Sequence, residues 1–110
     1  MANVIPSSAL PVLTKTMDAL RFRANAQGEV FGGEIVDAMQ EAAASLKVDR
    51  LEVLLIRNVL VRAMESLGEY YPTEVLHNFD SRMRVSDAIK YLQEAIAFAS
   101  PENAAKEAAV

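Results

Sequence analysis

Cysteine is absent from this chain, and histidine occurs once, at His77. The first absence excludes a disulfide framework, a thiolate nucleophile and a Cys-based zinc site. It also suits a cytoplasmic setting, which is the expected location. No uninterrupted apolar run approaches the roughly 20 residues needed to cross a bilayer, so no membrane partner is expected. The N-terminus lacks a basic region followed by an apolar core, and no secretory signal is read there. Glycine is scarce, at four residues. There is no Gly-x-x-x-x-Gly-Lys phosphate loop, no Rossmann fingerprint and no Ser/His/Asp motif context, which weighs against an enzyme. The net charge of −4 argues against a protein whose main task is gripping nucleic acid.

What the chain does have is a greasy central stretch, Val48 to Leu67. At about 100° per residue, Val53, Ile56, Leu60, Ala63, Met64 and Leu67 form one dense stripe. Leu51, Leu54, Leu55, Val59 and Val61 point elsewhere, between Glu52, Arg57, Asn58, Arg62 and Glu65. A surface helix needs one apolar stripe, whereas a helix apolar on most sides must be covered on several. In a single domain of 110 residues that means the centre of a bundle or a subunit interface.

Helix signals punctuate the rest. Residues 1–6 read as a frayed arm, and Ser7 or Ser8 can cap a first helix with Pro11 in its opening turn. Leu10, Leu13, Met17, Leu20 and Ala24 form its seam, and Gln27-Gly28 stops it. After the glycine cluster, a second helix runs from about Glu34 to Leu46, burying Ile35, Met39, Ala42 and Leu46. Glu34, Asp37 and Glu41 form its solvated face. Asp49 caps the third helix, Glu52 completes a capping box, and Gly68 ends it. Pro72 opens a short fourth helix to about Phe79. Ser86 caps a fifth, striped by Ala88, Ile89, Leu92, Ala95, Ile96 and Ala99. Ser100-Pro101 ends it, and residues from about 101 to 110 read as a flexible tail. The expected fold is all-α: one domain, 1–110, a bundle of four to five helices with short loops. The helix at about 49–67 is its spine, with the first and fifth helices packed against it.

Four patterns bear on chemistry. Glu74-x-x-His77 puts a carboxylate and an imidazole on one helical face, half of the di-iron carboxylate motif of ferritin-like bundles. With one histidine, only a dimer with the site on its two-fold axis supplies the second pair, and Glu65, Glu69 or Glu41 would complete it. The alternative is a partly exposed His77 closing the end of the core, so no metal and no cofactor is assigned.

Asn25-Ala-Gln-Gly-Glu-Val-Phe-Gly-Gly33 resembles the loop and helix start of hot-dog-fold acyl-CoA thioesterases. The resemblance implies Glu29 as the acid, Gly32-Gly33 as the helix entry, and a long curved antiparallel sheet around that helix. Helices read where those strands should be, and a helix–helix connection is the other reading.

The segment 73–99 has the outline of a helix-turn-helix, with Arg82 and Arg84 near the start of its second helix. That helix also carries Asp87 and Glu94 beside Lys90, a mixed surface. Finally, Lys47, Arg50, Arg57 and Arg62 are interleaved with Asp49, Glu52 and Glu65, which reads as intrahelical pairing.

These patterns leave a non-enzymatic protein-interaction module as the leading expectation: an accessory, adaptor or regulatory protein acting as a helical homodimer. The warrant is the missing site, the surplus apolar surface and adaptable methionines. Tyr70, Tyr71, Arg82, Met83 and Arg84 are the exposed contact candidates, because aromatic and arginine residues dominate interface hot spots. The alternatives are a helix-turn-helix DNA-binding regulator, a di-metal carboxylate protein and a thioesterase-like enzyme.

Overall fold

Stop and start signals divide the described residues into five helices: α1 (Ala9–Gln27), α2 (Ile35–Ser45), α3 (Arg50–Ser66), α4 (Pro72–Asn78) and α5 (Val85–Ala99). The computed structural model describes residues 5–27, 35–78 and 83–100. The fold is an all-α bundle, with no strand among the described residues. Residues 1–4, 28–34, 79–82 and 101–110 lie outside them, and with these most of the expected arm at 1–6, the glycine cluster and the tail.

The helix ends have local causes. Asp49 caps α3, its carboxylate accepting the Leu51 N–H at 2.6 Å. The Glu52 carboxylate, expected in a capping box, accepts the Ser8 hydroxyl at 2.5 Å and so ties the start of α1 to α3. Ser8 therefore stands at the head of α1, its carbonyl accepting from the Val12 N–H, while its hydroxyl makes a tertiary bond. Gly68, at φ 97°, ends α3. Its N–H donates to the Glu65 carbonyl and the Glu69 N–H to the Met64 carbonyl, which satisfies two of the terminal acceptors. The end of α2 repeats this arrangement on a lysine. Lys47 takes φ 56°, donates to the Ala44 carbonyl, and lets Val48 N–H reach the Ala43 carbonyl. Arg84, not Ser86, is the N-cap of α5, without a side-chain cap. Ser100 is extended, at ψ 149°, as a residue before proline must be.

The packing corrects the expected spine. α5 packs extensively against both α1 and α3, and α1 also packs along α2, while α3 barely meets α1 or α2. The centre of the bundle is the α1–α5 pair, in which Ala88, Leu92 and Ala95 of α5 are fully buried. Small residues at two of these positions allow the neighbouring backbones close approach. From α1 come Ala9, Val12, Leu13 and Leu20, together with Thr16, a buried hydroxyl satisfied by the Val12 carbonyl at 2.7 Å. α3 contributes Ile56, Val59, Leu60, Ala63 and Met64. Its Arg62 guanidinium lies 5.6 Å from the centre of the Phe98 ring on α5, a cation–π contact across the α3–α5 seam.

Only one side of α3 is therefore covered. Leu51, Leu54 and Leu55 remain 71, 54 and 38 % exposed. Among the described residues, the expected cover on several sides is not provided.

Candidate functional site

The weak contact between α2 and α3 leaves a groove of about 720 Å³ between them. Its position follows from the α2 stop. The left-handed Lys47 reverses the chain, and Val48 N–H pins the turn to Ala43. Val48 and Ala43 both line the groove as a result. Buried Met39, Ala43 and Leu60 form its floor, half-buried Val36 and Val53 its walls, and exposed Leu51 and Leu54 part of its rim.

Among the described residues, charge in the groove has one sign: Arg50, which is exposed, and Arg57, half-buried, line it, and no carboxylate does. The two lie two helical turns apart on α3. The expected intrahelical pairing fails for both, for a reason visible in the sequence. Three and four positions either side of Arg50 stand Leu46, Lys47, Val53 and Leu54; around Arg57 stand Val53, Leu54, Leu60 and Val61. A helix brings only those positions within reach of the side chain. This groove was missed in the sequence reading, yet two arginines with only apolar and basic helical neighbours were its signal.

A second, shallower cleft of about 650 Å³ lies where α3 hands over to α4. Tyr70, Tyr71, Glu65, Glu74 and His77 line it. Three metal-ligand candidates thus share one cleft, with Glu74 and His77 exposed on α4. Among the described residues, however, no group of three or more His, Asp or Glu is close enough to hold a metal ion.

Tyr70 and Tyr71 are 89 and 68 % exposed. Met83 is not: at 8 % exposure it belongs to the core beside Val85, and its expected surface role is withdrawn. An unbranched apolar side chain next to a helix start fills a gap more readily than it faces water. Arg84 is exposed at the head of α5, whereas Arg82 lies outside the described residues. The outward residues of α5 include Asp87 and Lys90, opposite charges on one surface.

One tyrosine is electrostatically distinct. Burial raises the Tyr91 phenol above its ordinary pKa, and the Glu69 and Asp87 carboxylates and a hydrogen bond to Glu69 add to the rise. Its hydroxyl donates to the Glu69 carboxylate at 3.5 Å, linking α5 to the α3–α4 turn.

Glu29, Gly32 and Gly33 lie outside the described residues. The curved sheet that the thioesterase resemblance implies is absent from the described residues, which hold helices instead. Fold and groove define the class: an all-α bundle, of five helices among the described residues, with exposed leucines along α3. Comparison with protein-family models, with curated proteins and with solved structures finds no match to this chain. No helix among the described residues is long and apolar enough to cross a membrane.

Proposed function

We propose that this protein is a small non-enzymatic interaction module whose working surface is the outer face of α3 and the groove beside it. The observation that carries the reading is the exposure of Leu51 and Leu54 at the rim of an apolar groove. Scattered exposed leucines need no explanation, but leucines contiguous with a concave apolar surface mark sites of association. Met39 on the floor adds a side chain able to adapt to what is bound.

Self-association is the second reading, and Leu55 favours it. It is 38 % exposed on α3 yet does not line the groove, so a copy of the chain can meet it there. A helical homodimer would then join through α3, in a cytoplasmic setting.

Comparative capture tests the first reading. The wild-type chain and Leu54→Glu, both shown folded by circular dichroism, are used as bait. Proteins retained by the wild type and lost by the variant support it; identical sets refute it. Sedimentation velocity over a hundredfold concentration range tests the second. A dimer abolished by Leu55→Glu supports it, and a concentration-independent monomer refutes it.

A further inference from the structure

We infer that the α2–α3 groove is built for an amphipathic helix of another protein that carries acidic residues along one flank. The inference rests on the interaction-module reading and names the chemistry of the partner. Three observations carry it.

The first is shape. The groove runs between two helices, with a buried apolar floor at Met39, Ala43 and Leu60 and a leucine rim. A helix laid in such a groove inserts side chains at i, i+3, i+4 and i+7, which is how helix-in-groove recognition gains its affinity.

The second is charge. The whole chain is net −4, so its general field repels an acidic partner. The groove reverses that sign locally, because among the described residues its charged lining is Arg50 and Arg57. Neither can be neutralised by a helical neighbour, since every position three or four away is apolar or lysine. Carboxylates two turns apart on a docked helix would match the spacing of the two guanidiniums.

The third concerns the competing occupant, a second copy of this chain. In a two-fold pair with antiparallel α3 helices, each flank of α3 meets its own copy. The Arg50–Arg57 flank would then face the same two cations, and like charges across an interface select against that partner. A foreign acidic helix meets no such penalty.

The test uses the full chain and two synthetic amphipathic helical peptides with the same leucine face. One carries glutamates on its flanks, the other lysines; both are fluorescein-labelled and read by fluorescence polarisation. The glutamate peptide is expected to bind roughly tenfold tighter than the lysine peptide, with affinity falling as salt rises. The double variant R50E/R57E should invert that preference, and Leu54→Glu should abolish binding of both. If charge reversal impairs folding, R50Q/R57Q should remove the preference without inverting it.

A preference for glutamate peptide against the sign of the whole protein, inverted by R50E/R57E, establishes the inference. Equal binding of both peptides that Leu54→Glu still abolishes overturns the acidic assignment and leaves the interaction module standing. Failure of both peptides to bind, with no self-association, overturns the groove as a docking site altogether. A concentration-dependent dimer that Leu54→Glu disrupts overturns the inference in favour of a second copy.

Discussion

Leu54 and Leu60 occupy the same helix and both touch the groove, but Leu60 is 0 % exposed and Leu54 is 54 % exposed. Replacing each by alanine separates what holds the bundle together from what is left for a partner. Full burial of a leucine is worth about 1.5–3 kcal/mol. Leu54 has withdrawn a little under half of its surface, so Leu54→Ala forfeits roughly 0.7–1.4 kcal/mol of stability. The gap opens to solvent, so no sealed cavity adds to that cost, and alanine's higher helix propensity returns a few tenths. Leu60→Ala loses the whole transfer term and leaves a cavity, for about 2–5 kcal/mol. A domain of this size has roughly 5–15 kcal/mol in total, so the second variant is near the limit of folding. Urea unfolding followed by far-ultraviolet circular dichroism reads both. The midpoint should fall several times further for Leu60→Ala, with the slope unchanged. The still-exposed half of Leu54 is what a docked helix can cover. Its removal should weaken the glutamate peptide by about 0.8–1.6 kcal/mol, roughly 4- to 15-fold in Kd. Equal midpoint shifts for the two variants would refute the reasoning, because Leu54 would then be packed in solution and the groove closed.

Further expectations concern the helix ends and Tyr91. Lys47→Gly relieves a left-handed residue with a side chain, and the gain less glycine's extra chain entropy is about 0.5–1 kcal/mol; a fall in the thermal midpoint would contradict this. Gly68→Ala should cost roughly 1 kcal/mol although nothing lies within 4 Å of the added methyl, because the penalty is in the backbone at φ 97°. Asp49→Ala removes the α3 cap and should cost about 0.5–2 kcal/mol by denaturant unfolding, and no loss would mean the cap is unused in solution. The folded chain holds the Tyr91 proton more tightly than the unfolded chain does. Stability should therefore fall as pH rises from the ordinary tyrosine value of 10.0 toward the higher folded-state value. Glu69→Gln removes a charge that raises this pKa, so ultraviolet titration should show Tyr91 ionising earlier; an unchanged titration would remove Glu69 from the account.

Much of the architecture was legible because its causes are local. Asp49 before an apolar run, Gly68 after it and Pro72 beyond are signals read in a few residues, and each fell where expected. The stop at Lys47 was not legible as such, since a lysine takes the left-handed conformation only when the surrounding packing enforces it. The partner of each apolar stripe was also out of reach. The Leu10–Ala24 seam and the Ile89–Ile96 stripe are both expected on α3; α5 does pack there, whereas α1 packs chiefly on α5 and α2. Periodicity says which face is buried, not against what. Met83 was misplaced for the opposite reason: flanked by arginines it looked exposed, and tertiary packing overrode that context. The candidate site was the least legible part. A groove exists only where two helices fail to close on one another, and that failure follows from the turn at Lys47 and from α2 leaning on α1.

The contact between α1 and α5 orders events in time as well as in space. These helices are the first and last of the described bundle, and their seam is its most extensive. Residues 28–84 separate α1 from α5, and at roughly 5–20 residues per second their synthesis takes about 3–11 s. During that interval α1 lacks its most extensive partner, and α3, once made, lacks it too. Isolated helices of this length are marginal in water, so the nascent chain has little to settle into before α5 emerges. Closure then requires joining distant segments, which slows folding relative to bundles of sequence-neighbouring helices. Its apolar faces are consequently most available to chaperones, and to aggregation, in the seconds before Val85 to Ala99 leave the ribosome.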